Sequence, residues 1–481
     1  MNIFETIRNE TKGLADKTAV IEGDKEITYE KLFSCAEITA SSLRGKDVSR
    51  FHRVGLLCED SIDYLTTSLA VLSISAVLVP ISHDQSDNEI RDIIERISLD
   101  YLIFEKGTFE EEGAESLLSD GLLKKELLMI NRDFSKLPCN EYFKINPAFI
   151  RFSSGTTGAS KGVVLSHEAI IERTDAADKG LKITSEDNVL WVLSMSFHFV
   201  VTILLFLRRG ATIVLCSQRF PEALIEGITE HKGTFIYASP FHYSLLSRSE
   251  LISKTSLDNI RMAVSTAMKL PDAIAAQFFE KFGLELAEAY GIIEVGLPFL
   301  NLNANKKLRG SVGTPLPDYE IKLLKKGPDG VGEIYIKGKG MLNAYFSPWQ
   351  NRQGIMKSGW FKTGDLGKID ATGNLTIVGR EKDVINFAGM KVFAFEVESV
   401  LNEYPFVKES MVYGVYHPQY GQLPVARIVL KNGVESSIDL NDLRRFCYHR
   451  MSQYKVPKDF QIVDALPKTA SGKVKRENTP H

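Results

Sequence analysis

Apolar and polar positions over the first 145 or so residues switch between the spacing of helices and that of strands. Ile27-Thr28-Tyr29-Glu30-Lys31-Leu32 opens a helix, with Thr28 placed to cap its first turn. Val54-Gly55-Leu56-Leu57 is a short core strand, Ser61 begins an apolar helix, and Ala76-Val77-Leu78-Val79-Pro80 reads as the next strand. Tyr64 to Ser82 runs 19 residues without a charge. Thr66, Thr67, Ser68, Ser73, Ser75 and Pro80 interrupt it, so the expectation is a buried helix entering a buried strand, not a membrane span. This alternation predicts an α/β sheet covered by helices. Residues 104 to 146 are more polar and are expected to wander over the surface.

The same rhythm continues downstream. Ser166 is placed to cap a helix from Glu168 to about Lys179, and Leu190 to His198 reads as a strand ending in an aromatic and a histidine. Thr234 to Pro240 and Ile260 to Val264 read as two more strands. Pro271 to Phe282 is an amphipathic helix with Ile274, Phe278 and Phe279 on one side. From about Asp383 the pattern becomes that of a compact α+β unit. Phe395 to Leu401 forms its helix, and Met411 to Val415 and Ala426 to Leu430 form strands.

Composition narrows the function classes. A net charge of −3 on 481 residues gives no electrostatic reason to expect nucleic acid or an anionic membrane as partner. Cys35, Cys58, Cys139, Cys216 and Cys447 are scattered, without CxxC or Cys/His spacing, which argues against disulfides and structural zinc. That cysteine pattern leads to the expectation of a reducing, cytoplasmic setting, and the N-terminus reads as too charged for a secretory signal. Oligomeric state is not readable from the pattern.

The chemistry concentrates in Arg151 to His167. Phe149 and Ile150 lead into a hydroxyl- and glycine-rich loop, and Val163, Val164 and Leu165 follow it, giving strand, loop, strand. Gly155 and Gly158 allow backbone N–H groups to approach an anion. Ser153, Ser154, Thr156, Thr157 and Ser160 add hydroxyls, and Lys161 adds a charge. A Walker loop needs Gly before the Lys and Ser or Thr after it; here Ser160 precedes and Gly162 follows, so that motif is not met.

The run SSGTTGASKG resembles the phosphate loop of the acyl-adenylate-forming enzymes, which include acyl- and aryl-CoA synthetases, luciferases and peptide-synthetase adenylation domains. The resemblance continues, in the family's order, over roughly residues 20 to 476. Leu286 to Gly296 resembles the family's Tyr-Gly-x-Thr-Glu segment. It implies that Tyr290, followed by Gly291, stacks on adenine and that Glu294 holds Mg²⁺ with phosphate oxygens. Ile293 stands where the family has Thr, removing a hydroxyl donor to the α-phosphate. Gly310 to Pro317 and Gly332 to Gly338 resemble structural segments. Gly359 to Gly367 supplies Asp365 for the ribose, Gly379 to Asp383 supplies Arg380 for ribose or phosphate, and Lys382 falls at the family's hinge. Pro467 to Arg476 resembles the mobile lysine loop, with Lys473 as its lysine. His198 matches a position between the acyl pocket and the nucleotide. Ser265 to Met268 matches a small-residue turn beside adenine, with Met268 bulkier than usual. The chain stops at His481, so a shortened last helix is expected.

The fold thus implied is α/β, with a large multi-sheet N-terminal adenylating domain over residues 1 to 381 and a small mobile C-terminal α+β domain over 382 to 481. The implied activity is ATP-dependent ligation of a small-molecule carboxylic acid. It passes through acyl-AMP to a thiol, which is CoA or the phosphopantetheine of an acyl carrier protein. Ser153 to Lys161 would hold the β- and γ-phosphates, Lys473 would bridge carboxylate and α-phosphate, and Gly389 would line the thiol tunnel. Amino-acid-activating members carry an Asp near Phe197 to Val201. No carboxylate stands there, so an α-amino acid is disfavoured. Phe197, Phe199, Val200 and the Ala289 to Ile293 region suggest an apolar pocket. The alternatives are an enzyme dedicated to a carrier protein or stopping at acyl-AMP, and a weakly catalytic nucleotide-binding relative.

Overall fold

The computed structural model describes residues 1–118, 123–132, 138–152, 161–217, 219–388, 390–431, 438–468 and 474–476. Among the described residues the strands assemble into four sheets. The largest has nine strands, with Pro147–Phe152, Val77–Ile81, Arg53–Leu57 and Tyr101–Glu105 parallel at its centre. An eight-stranded sheet has Met262–Ser265, Phe235–Ala238, Asn188–Trp191, Thr212–Leu215 and Thr18–Glu22 as its parallel core. Parallel strands buried on both faces read as continuous apolar runs, the pattern of VLVPI and TIVL.

Ile62–Ser73 is the apolar helix expected after Ser61, whose hydroxyl accepts from the Tyr64 N–H. Every residue from Ile62 to Leu72 is buried. Leu65, Leu69 and Leu72 are 0% exposed, each stabilising by about 1.5–3 kcal/mol relative to exposure. No helix among the described residues is long and apolar enough to cross a membrane. Thr28 caps Tyr29–Gly45 and Ser166 caps His167–Leu181, as the sequence indicates.

Three expectations need correction. The stretch from 104 to 146 is not all surface chain: Leu127–Asn131 pairs antiparallel with Tyr101–Glu105, and Tyr142 is fully buried. Every second residue of the strand faces the core, so its apolar signal is diluted in a polar neighbourhood. The segment Leu190 to His198 is not one strand. Asn188–Trp191 ends early, and Met195–His198 is a helical turn that runs into a wider π turn, Phe199–Ile203. Phe279, expected on the buried side of its helix, is 41% exposed and lies under Arg309, whose guanidinium carbon is 5.5 Å from the ring centre.

A four-stranded antiparallel sheet, Tyr319–Leu324, Gly332–Gly338, Phe361–Ile369 and Leu375–Arg380, carries the chain to the short turn Glu381–Asp383. Beyond it, Ile385, Val397, Leu401, Val412, Ile428 and Leu443 build a separate core under a five-stranded sheet.

His167 links this architecture to pH. Its Nδ1 accepts from the Ile3 N–H, and burial pushes the imidazole down to about 4 from its ordinary 6.5. Between those values the unfolded chain binds a proton that the folded chain does not, so stability falls as pH falls through that window. His167→Asn is therefore expected to be less stable than wild type at pH 7. The gap in melting temperature should narrow steadily as pH drops from 6.5 to 4; a gap constant with pH would contradict the neutral imidazole.

Candidate active site

The edge of the eight-stranded sheet and the four-stranded sheet bring together residues far apart in sequence. Phe361–Ile369 and Leu375–Arg380 pair antiparallel, with Asp365 directly opposite Arg380. The Arg380 guanidinium sits 3.2 Å from Asp365 Oδ1, while the Tyr290 hydroxyl, on Ala287–Ile292, donates to Oδ2 at 2.5 Å. Asp365 is buried and Arg380 half-exposed. Burial and then the Asp365 charge hold the Tyr290 phenol far above its usual range, so it remains a donor. Three of the residues singled out from the sequence therefore form one hydrogen-bonded cluster.

Glu294 follows on a tight turn. Gly291 is required there for packing: a Cβ would come 2.5 Å from the Gly296 carbonyl oxygen. Glu294 is half-buried as a residue, and the protein packed around its carboxylate pushes the pKa up. The charges of Arg151 and Arg380 oppose that shift. The Tyr345 hydroxyl donates to Glu294 Oε1 at 3.3 Å, and the Leu342 N–H donates to its carbonyl at 2.8 Å. Fully buried Arg173 braces the same turn. It donates to the Ile293 carbonyl at 3.1 Å and to the Gly340 carbonyl at 2.8 and 2.6 Å. No group of three metal-type side chains occurs among the described residues. A single hard carboxylate fits Mg²⁺, which takes one or two protein carboxylates and completes its shell with water and phosphate.

Pro147–Phe152 and Gly162–Ser166 pair antiparallel, as strand, loop, strand requires. Ser153, Ser154, Gly155, Thr156, Thr157 and Gly158 lie outside the described residues. Lys161 stands at the loop's exit with its ammonium 4.7 Å from the centre of the Tyr345 ring. Tyr345 thus touches both the loop lysine and Glu294. At the loop's entrance the Arg151 guanidinium donates to the Phe197 carbonyl; burial lowers its pKa to about 10, which still leaves it charged at neutral pH.

His198 packs edge-on to Trp191 and Tyr237, ring centres 5.7 and 6.0 Å away, and those two rings stack on each other at 5.6 Å. Phe199 and Val200 are buried beside it. In the C-terminal unit, Lys382 is pushed down to about 8, first by burial and then by Arg380 and Arg476, against the pull of Asp383. Arg476 donates to both Glu398 oxygens at 2.7 Å and to the Val412 carbonyl at 2.8 Å. Lys468 bridges to Val474. Gly389 and Lys473 lie outside the described residues.

Sequence reading missed Arg173, Tyr345 and Asp60. Arg173 had a weak signal, an arginine on the same helical face as Ile170 and Ala177, all buried. Tyr345 and Asp60 had none, because each reaches its partner only through sheet packing.

Residues 7–346 match the family model described as AMP-binding enzyme, and residues 396–473 match that of the AMP-binding enzyme C-terminal domain. Curated relatives include the 2-succinylbenzoate–CoA ligase of Bacillus subtilis, 28% identical over 96% of this chain and 94% of the relative. The indoleacetate–CoA ligase of Aromatoleum aromaticum is 26% identical over 96% and 94%. Among solved structures, the B. subtilis o-succinylbenzoate CoA synthetase with its acyl-adenylate intermediate superposes with a TM-score of 0.85 at 24% identity, covering 99% of this chain and 97% of that one. ATP-bound MatB from Rhodopseudomonas palustris gives 0.84 at 23% identity over the same shares, a likeness of fold. With a family model covering most of its length and a second matching its C-terminal unit, this chain belongs to the AMP-binding enzymes.

Proposed function

We propose that this chain is an ATP-dependent acid–thiol ligase. A small-molecule carboxylate attacks the α-phosphorus of ATP in line, giving acyl-AMP and pyrophosphate, and a thiol then takes the acyl group and releases AMP. The observation that carries this reading is the Tyr290–Asp365–Arg380 cluster. It sets a buried acid, an aromatic ring and a guanidinium side by side, a set suited to ribose hydroxyls, a base face and phosphate. The curated relatives named above are CoA ligases, which favours CoA over a carrier protein as the acceptor.

In this reading Asp365 and Arg380 hold the ribose, Tyr290 lies against adenine, and the loop Ser153 to Lys161 receives the terminal phosphates. Glu294 is the carboxylate that would hold Mg²⁺, whose charge would neutralise the phosphate oxygens. Lys473 neutralises charge growing between carboxylate and α-phosphate, so the protein contributes positioning and electrostatics. The domain boundary falls at 381/382, and Lys382 is the hinge about which residues 382 to 481 turn between the two half-reactions. His198 gates the acyl side, and Gly389 lines the thiol path. The scattered cysteines support a cytoplasmic setting.

ATP–pyrophosphate exchange tests the reading, using a panel of acetate, hexanoate, dodecanoate, benzoate, indoleacetate and malonate, with and without CoA. Exchange with at least one acid and CoA-dependent AMP release are expected. ATP binding with no exchange for any acid would favour the nucleotide-binding alternative. Ile293→Thr should raise exchange by up to about 10²-fold, the range for restoring one donor to a developing charge. An unchanged rate would mean that the lost hydroxyl has a substitute.

A further inference from the structure

Asp60 follows Arg53–Leu57 of the nine-stranded sheet, and Met195 follows Asn188–Trp191 of the eight-stranded sheet. The two meet in the interior. Asp60 is 6% exposed, and both its oxygens accept from the Met195 N–H, at 3.0 and 2.9 Å. Two residues along, the Phe197 carbonyl accepts from Arg151, whose guanidinium carbon also lies 5.4 Å from the centre of the Phe197 ring. The short segment from Met195 to Phe197 is therefore gripped by a carboxylate at its N–H end and a guanidinium at its C=O end.

Neither side chain is what folding alone would select. Burial pushes the Asp60 carboxyl up to about 7, against the Met195 N–H, which favours the charged form, so this acid costs more here than a neutral Asn or Ser oxygen in the same place. Arg151 is half-buried, and its buried Nε has no hydrogen-bond partner. What the two side chains do supply is a hydrogen bond at each end of one short backbone segment, which holds that segment in register. Arg151 stands two residues before Ser153, at the entrance to the phosphate loop, and His198 directly follows Phe197.

We propose that Asp60 and Arg151 are positioning residues forming a two-point clasp, which registers the acid-facing segment Met195–His198 against the strand that enters the phosphate loop. The inference rests on the ligase reading above and adds a determinant of acid binding that is separate from ATP binding.

Steady-state exchange kinetics test it, using whichever panel acid the wild type exchanges fastest. Asp60→Ala should raise the KM for that acid about tenfold, with the KM for ATP moving less than about twofold. Asp60→Asn keeps an acceptor for the Met195 N–H and should recover most of the loss. Arg151→Met should show the same split. In the double variant Asp60→Ala/Arg151→Met the effect should fall short of the product of the singles, because either change releases the same segment. Should Asp60→Ala fail to fold, Arg151→Met alone decides by its KM split. Acid and ATP KM values rising together, or not moving, in folded variants would overturn the clasp. A wild type without exchange for any acid would instead remove the ligase reading, and the clasp with it.

Discussion

Lys473→Ala is expected to lower ATP–pyrophosphate exchange by about 10²-fold or more, the range seen when one charge-stabilising donor is removed from a developing anion. Thiol transfer from preformed acyl-AMP should fall far less. The reasoning is electrostatic. In the first half-reaction a carboxylate approaches an already anionic α-phosphate, and the mutual repulsion has to be cancelled at the point of attack. In the second, a thiol meets an activated acyl carbon and the leaving group is AMP, so a cation held at the old position adds little. The described residues on either side of Lys473 are firmly tied: Lys468 pairs with Val474, the Lys475 N–H donates to the Pro467 carbonyl, and Arg476 grips Glu398. Equal losses in both half-reactions would refute this division of labour. Arg476→Ala should reproduce the asymmetry in weaker form, since it loosens the base of the lysine loop without removing its charge.

Asp365→Asn should raise the KM for ATP by about 10- to 10²-fold, the equivalent of one hydrogen bond to a charged group at about 1.5–3 kcal/mol. Asp365→Ala should cost more, because the Tyr290 hydroxyl loses its acceptor and Arg380 its counter-ion. Arg380 is half-exposed, and water screens the charge it leaves behind, so the penalty stays below that of a fully buried broken pair. The readout is discrimination against 2′- and 3′-deoxy-ATP. Wild type should reject both, and Asp365→Asn should reject them much less. If the variant keeps full discrimination while its KM rises, the carboxylate supports Tyr290 and Arg380 without touching the ribose.

Tyr290, Asp365 and Arg380, which meet in one cluster, were legible before any fold was known, for a physical reason. Groups that meet phosphate, ribose and metal need particular functional atoms on particular backbone shapes, and such combinations stay contiguous. The glycine- and hydroxyl-rich loop, the Tyr-Gly-x-x-Glu turn, and the glycine-flanked Asp365 and Arg380 are each short local solutions. Their pairing was also within reach, because two antiparallel strands joined by a short turn bring their ends together. The elements misjudged were those whose character depends on depth of burial. Leu127–Asn131 sits in a polar neighbourhood yet packs inward on one face. Met195–His198 is a helical turn whose backbone is met by Asp60 and Arg151 from another sheet, contacts invisible to local periodicity.

By itself, then, the amino-acid sequence determined the α/β character, the family and the local segments that carry the candidate groups. Hydrophobic period and local backbone chemistry act over a few residues, and a chain carries that information wherever it is read. Only the tertiary structure decided how those groups are held. Arg173 clamps the Glu294 turn across 120 residues, Tyr345 couples Lys161 to Glu294, and Asp60 reaches Met195 across 135. Contacts of that span exist only once both sheets have packed, because burial turns an ordinary arginine or aspartate into a rigid strut.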